Sequence, residues 1–174
     1  MTGGPMSIDT KIEAALRMML DKQEIHEVMM RYCRAVDRID EELLRSVYHP
    51  DATDNHGLFN GKASDFVPWC IKQLREAYTA TQHLVANELI EVHGDTAYCE
   101  FYFVAYHRYE RKGEPRHMTA GGRYVDRFER RNGEWRIAER TVVVDWQRVD
   151  RVHEPDASLL TLGLPSRQDA AYRR

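Results

Sequence analysis

Near Tyr78 the spacing of apolar residues changes from a helical period of about 3.6 to an alternating period of 2, and the alternation persists to about Arg148. Four strand-like runs follow the change, roughly 82–92, 96–111, 117–130 and 134–148. They are bounded by His93-Gly94-Asp95, Lys112-Gly113-Glu114-Pro115 and Asn132-Gly133. Consecutive runs joined by such short turns form a curved antiparallel meander, and Asn-Gly is a strong hairpin signal. Helices first and a long sheet last is an α+β arrangement, in which the helices cover one face of the sheet and leave a cavity where the two diverge.

The upstream half supplies those helices. Thr10 with Glu13 has the spacing of a capping box, followed at helical intervals by Ile12, Ala15, Leu16, Met19 and Leu20. Asp21 with Glu24 continues or restarts the helix, whose next apolar stripe is Ile25, Val28, Met29, Tyr32, Cys33 and Val36. Tyr32 therefore faces inward. Five helical residues advance by about 140°, so Asp37 shares Tyr32's side only if the helix unwinds there, as the polar run Asp37–Asp40 permits. Glu41 to Tyr48 reads as a short helix stopped by Pro50. Residues 51–61, with His56, Gly57, Phe59, Asn60 and Gly61, suit a short hairpin or a pocket rim. A second major helix, capped by Ser64 or Asp65 with Pro68 in its first turn, turns Phe66, Trp69, Cys70, Leu74 and Tyr78 inward. One domain over 10–148 is expected, with terminal segments 1–9 and 149–174. The tail either packs on a neighbouring subunit or stays loose.

Charge and motif content narrow the function. Twenty-five basic against 28 acidic residues leave a net charge of −3, so no summed positive field draws nucleic acid or an anionic membrane. No 18-residue apolar run and no charged start leading into an apolar segment point to membrane spanning or export. Cys33, Cys70 and Cys99 each sit in an apolar segment, as buried free thiols do, which fits a reducing cytoplasm. There is no Gly-x-Gly-x-x-Gly, phosphate loop or Gly-x-Ser-x-Gly motif, and no compact His-x-x-x-His or Cys-x-x-Cys spacing. Neither a nucleotide cofactor nor a metal is expected.

Pairing the first two strands through a three-residue turn sets Val92 against Thr96 and, counting outward, His83 against Ala105. His107 is then a diagonal neighbour of His83, about 7 to 8 Å away on the same face. On that register Val85, Asn87, Leu89, Cys99, Phe101 and Phe103 share the face, so two imidazoles stand at the open end of an apolar wall. A histidine with one ring nitrogen on a carboxylate presents the other as a general base near neutral pH, and Asp37 is the candidate carboxylate. Tyr32 and Tyr48 would then hydrogen-bond a substrate carbonyl or hydroxyl. Set against this, Tyr32 alone is an ordinary core residue, Asp37 an ordinary helix cap, and Trp69, Trp135 and Trp146 ordinary core tryptophans.

The combination of Tyr32-x-x-x-x-Asp37, Tyr48-His49-Pro50-Asp51-Ala52, Phe59-x-Gly61, Thr81-x-His83 and Gly122-Arg123-Tyr124 through Gly133-x-Trp135 to Arg140 resembles the SnoaL-like branch of the nuclear transport factor 2-like superfamily. The likeness spans about residues 10–148. It implies a cone-shaped curved antiparallel sheet wrapped on N-terminal helices around a deep pocket. Within the superfamily the pattern is most similar to the scytalone dehydratase and bile-acid dehydratase type. That likeness implies cofactor-independent elimination or retro-aldol cleavage of a small aromatic or alicyclic compound. His83 would take the proton, Asp37 would orient it, and Tyr48 or His107 would assist the leaving group, with Tyr32 completing the catalytic set. Phe59, Trp69, Phe103, Arg140 and Trp146 are expected, with Tyr48, to contact the substrate. Arg140 matches a recurrent arginine of the family, yet a two-residue Asn132-Gly133 turn points it away from the face of Trp135 and Ile137 unless a bulge intervenes. Relatives also include isomerases and non-catalytic binders, and commonly form dimers or trimers.

Overall fold

The computed structural model describes residues 8–152, 158 and 162–172. Helix α1 (Ile8–Asp37) is followed by α2 (Glu41–Ser46), β1 (Tyr48–Asn55), β2 (Asn60–Lys62), α3 (Ala63–Ala77) and four long strands, β3 (Ala80–His93), β4 (Thr96–Arg111), β5 (Glu114–Arg131) and β6 (Glu134–Arg151). One six-stranded sheet has the order β2-β1-β6-β5-β4-β3. The meander from β3 to β6 is antiparallel, as the turn spacing predicts. The sheet as a whole is mixed, because β1 runs parallel to β6. The helix expected to run to Tyr48 stops at Ser46, so that Tyr48 opens a strand, and of the two expectations for 51–61 the hairpin forms, closed by Asn55↔Asn60 between β1 and β2. Pro50 is tolerated in β1 because the pairing with β6 is interrupted between Tyr48 and Thr53, so no ladder bond is asked of it.

Among the described residues α1 is one continuous helix from Ile8, two residues before Thr10, so Asp21 with Glu24 continues it and does not restart it. Its burial begins at Asp21. That carboxylate accepts hydrogen bonds from Trp135 Nε1 at 3.1 Å and Arg130 at 2.5 Å, and so anchors the helix to the β5–β6 turn. From there Ile25, Val28, Met29, Tyr32, Cys33 and Val36 fill the concave face of the sheet, as the stripe predicts, whereas Ile12, Leu16, Met19 and Leu20 stay exposed. α3 closes one side of the cup with Phe66, Val67, Cys70, Ile71 and Leu74 buried. Its N-cap is Lys62, two residues before Ser64 and three before Asp65, and Pro68 falls in the second turn instead of the first.

β4 alternates strictly, burying Ala97, Cys99, Phe101, Phe103 and Ala105. β3 does so only after a correction. The β3–β4 turn contains two residues, Gly94 and Asp95, with His93 opposite Thr96, and its positive φ at Gly94 fits the glycine-first two-residue turn. This moves the register by one from the three-residue expectation. A bulge between Ala86 and Leu89, with Asn87 at φ +47°, moves it back. His83 consequently lies opposite Ala105 as expected, while nearer the turn Ile90 is buried and Leu89 and Asn87 are exposed. A second bulge, between the pairs Arg127↔Glu139 and Phe128↔Ile137, turns Arg140 to the inside with Ile137.

Where it is described, the tail packs on its own chain. Arg167 pairs with Asp40 at 2.6 Å and Tyr172 donates to the same carboxylate at 2.9 Å, which holds residues 162–172 against the α1–α2 junction.

Candidate active site

α1 runs regularly through Asp37 and then stops. Asp40 N bonds back to the Ala35 carbonyl, Ile39 N to that of Val36, and Ile39 takes a left-handed φ of +52°. This is a Schellman-type end with a β-branched residue where glycine is usual. Asp40, not Asp37, caps α2, by accepting from Leu43 N at 3.2 Å. Asp37 is thereby left free at the final helical position and needs no unwinding to reach β3. Its carboxylate accepts three hydrogen bonds there, from His83 Nδ1 at 2.7 Å, His83 N at 2.9 Å and Thr81 Oγ1 at 3.1 Å. With a carboxylate as partner, His83 carries its proton on Nδ1 and leaves Nε2 as an acceptor. The His83 and Asp37 side chains are about nine-tenths buried, so the pair is held in one geometry.

Nε2 is the nitrogen left for a cavity of 210 Å³ that is lined by Tyr32, Val36, His56, Leu58, Trp69, Cys70, Gln73, Leu74, Ala77, Tyr78, His83 and His107. Its volume lies below the range of about 300–1,000 Å³ usual for drug-sized ligands, which suits a single-ring compound. A larger hollow of 640 Å³ behind the dyad is lined by Asp37, Thr81 and the segment Leu162, Gly163, Leu164, Pro165. His83 is not in its lining, so the smaller cavity is the one that gathers the imidazoles.

The His107 ring lies edge-on to that of His83, 5.3 Å between centroids, and packs on Tyr78 at 4.7 Å. Burial first, and then the neighbouring His83, push its pKa down to about 4, against the pull of Asp37 and the Ala105 carbonyl. It is therefore a neutral hydrogen-bonding group at neutral pH. Tyr32, fully buried, has its phenol held protonated by desolvation. Arg140 lies behind it. The guanidinium carbon sits 4.1 Å from the centre of the Tyr32 ring and 4.4 Å from that of Tyr124, and the head group clasps Asp126 through two bonds of 2.8 and 2.6 Å. Desolvation raises the Asp126 pKa and Arg140 opposes the rise. Each partner compensates a charge the other would otherwise leave buried.

Of the residues expected to touch substrate, Trp69 lines the cavity with Tyr32, His83 and His107. Phe59 packs on Trp69 at 5.3 Å, just outside the lining. Tyr48 and Phe103 are buried deeper, Tyr48 donating to Asp54 at 2.6 Å and Phe103 stacking on Tyr124 at 4.6 Å. Arg140 backs Tyr32 without lining the cavity, and Trp146 lies half exposed over Gly121, outside it. His56 and Asp54 are the pair that sequence reasoning passed over. His56 Nδ1 lies 2.9 Å from Asp54 Oδ1, and its ring stacks on Phe66 at 4.8 Å and lines the cavity. The signal is the Asp-x-His spacing at the end of an extended segment, which puts both side chains on one side, and it shows only once 48–55 is recognised as a strand. Among the described residues no cluster of histidine, cysteine and carboxylate could hold a metal. Among the same residues no helix is long and apolar enough to cross a membrane.

N-terminal helices set against a curved six-stranded mixed sheet are the arrangement of the nuclear transport factor 2-like class of fold. The chain belongs to its SnoaL-like family, whose domain matches residues 17–141. A putative scytalone dehydratase from Novosphingobium aromaticivorans superposes with a TM-score of 0.68 at 19% identity, covering 78% of this chain and 91% of that one. A hexachlorocyclohexane dehydrochlorinase from Novosphingobium barchaimii LL02 gives 0.69 at 17% identity, covering 81% and 99%. An NTF2-like protein with a cystatin-like fold from Novosphingobium aromaticivorans gives 0.65 at 22% identity, covering 82% and 92%. At such identities these likenesses establish the fold. No curated protein matches the chain with significance.

Proposed function

We propose that the protein is a cofactor-independent lyase acting on a small aromatic or alicyclic compound that carries a carbonyl and a hydroxyl. The observation that carries this reading is the 2.7 Å bond between Asp37 and His83 Nδ1, which leaves Nε2 for a small cavity walled by aromatic rings. His83 takes a proton from the carbon beside the carbonyl, and Asp37 stabilises the imidazolium that results. Tyr32, a protonated phenol on the same cavity, hydrogen-bonds the oxygen on which enolate charge develops. The enolate then expels the group on the next carbon. In a retro-aldol variant His83 instead takes the hydroxyl proton and a carbon–carbon bond breaks. The dehydratase and dehydrochlorinase named above support elimination as the class of chemistry for this fold.

The test uses 3-hydroxycyclohexanone, followed through formation of the conjugated enone. Asp37→Asn and His83→Gln are each expected to lower kcat by about 100-fold or more, the range for general acid–base groups. Unchanged turnover in both variants would sink the reading and favour a binding role. Return of label to another carbon of the intact ring, without loss of water, would indicate an isomerase.

A further inference from the structure

We propose that His56, oriented by Asp54, is the general acid of this site, donating a proton from Nε2 to the departing hydroxyl while His83 on another wall takes one from carbon. The assignment rests on the elimination reading and adds the group that reading lacks. Expelling hydroxide is costly unless it leaves as water, so a proton donor is required.

Of the other groups near the cavity, Tyr78 is made a weaker acid by burial, and the rest are poorly suited to donate. The Tyr48 hydroxyl is committed to Asp54 Oδ2 at 2.6 Å. His107, at a pKa of about 4, carries no extra proton at neutral pH, and the Cys70 thiol is pushed up to about 12. Tyr32 has its role on the carbonyl side.

His56 has the same architecture as His83, built independently. Asp54 is completely buried on β1, and its Oδ1 meets His56 Nδ1 at 2.9 Å while Oδ2 is satisfied by Tyr48. Its register partner on β6 is Arg140. The imidazole is clamped by stacking on Phe66 and by the backbone bonds His56 N to Phe59 O, 2.7 Å, and Leu58 N to His56 O, 2.9 Å. Those contacts fix the ring at the cavity wall with Nε2 as its remaining nitrogen. Two imidazoles, His56 just past the end of β1 held by Asp54 and His83 on β3 held by Asp37 at the end of α1, thus line one small space. In the step, the C–H electron pair forms the new double bond and the C–O bond breaks. The proton on carbon goes to His83 Nε2, and a proton on His56 Nε2 goes to the leaving oxygen. The products are enone and water, with His83 left protonated and His56 neutral. Exchange with solvent through the mouth of the cavity resets both.

The experiment compares 3-hydroxycyclohexanone with 3-acetoxycyclohexanone, whose acetate leaves without needing a proton. His56→Gln is expected to lose about 100-fold in kcat on the hydroxy compound and less than about 5-fold on the acetoxy compound. Because both are measured on one preparation, the ratio is independent of the fraction folded. Asp54→Asn, a positioning variant, should shift the ratio in the same direction. His83→Gln should lose activity on both compounds alike. Equal losses on both compounds for His56→Gln, or no loss on either, would overturn the His56 assignment and leave the His83 base standing. Full activity in His83→Gln, or no turnover of either compound by the unaltered protein, would overturn the elimination reading itself.

Discussion

A Cβ placed on Gly122 would stand 2.0 Å from the Val143 carbonyl oxygen, a backbone atom of the neighbouring strand that cannot rotate away. One on Gly121 would meet the Trp146 indole at 2.3 Å, yet that ring is half exposed and free to swing outward. The two adjacent glycines therefore make different demands. Gly122 lies where β6 carries an extra residue between Val144 and Trp146, so its bareness permits the close approach of two strands. Gly122→Ala is expected to lose about 1–3 kcal/mol in chemical denaturation, in the range of overpacked cores, and Gly121→Ala a smaller amount. Equal effects would mean that Trp146 is as immovable as the backbone. At the same scale, the His83–Asp37 pair could be read in advance from strand alternation and the end of a helix stripe, whereas the His56–Asp54 pair was hidden by Pro50 and the glycines around it. Those residues announce a turn, and the pairing with β6 on one side and β2 on the other makes 48–55 a strand.

Elements bend where backbone hydrogen bonding requires it, and side-chain patterns report that poorly. The register placing His83 against Ala105 was legible although the assumed turn was one residue too long, because the bulge at Asn87 restores the count. An asparagine, tolerant of positive φ, is the trace such a bulge leaves in sequence. The bulge that brings Arg140 inside leaves less, since Ala138 next to Ile137 reads as ordinary strand. The junction of α1 and α2 is where the tail enters the fold. Asp40 there is almost fully buried and serves Leu43 N, Arg167 and Tyr172 at once, the arginine holding its carboxyl below the usual range against the effect of burial. Asp40→Ala removes the cap of α2 and the mooring of residues 162–172 together, and should lose about 2 kcal/mol by denaturation with faster proteolysis of the tail. Arg167→Ala removes one of the tail's bonds to Asp40 but leaves the cap of α2 and the Tyr172 bond in place, and should lose less stability than Asp40→Ala in the same denaturation. If the tail of Asp40→Ala resists proteolysis as the unaltered protein does, its docking depends on other contacts.

For the molecule as a whole, a cup that buries imidazoles must become sensitive to acid. His107 faces His83, Tyr78, Asp37 and, at longer range, His56, and in the fold it stays neutral down to about pH 4, against 6.5 for an ordinary histidine. Above 6.5 both folded and unfolded chains hold it neutral, and its contribution to stability is constant. As pH falls from 6.5 towards 4 the unfolded chain takes up a proton that the folded one refuses, so stability is lost across that window and levels off below it. Between about pH 7.5 and pH 5, above the range where carboxylates titrate, the loss from this one ring is roughly 2 kcal/mol. His107→Gln removes the titrating group and retains hydrogen-bonding capacity. Urea denaturation at the two pH values should show the variant losing roughly 2 kcal/mol less than the unaltered protein over that interval. Parallel losses in the two proteins would mean that the ring accepts its proton in the folded state as readily as in the unfolded one. His107 would then stand charged beside His83 at mildly acidic pH and take part in the proton traffic of the cavity.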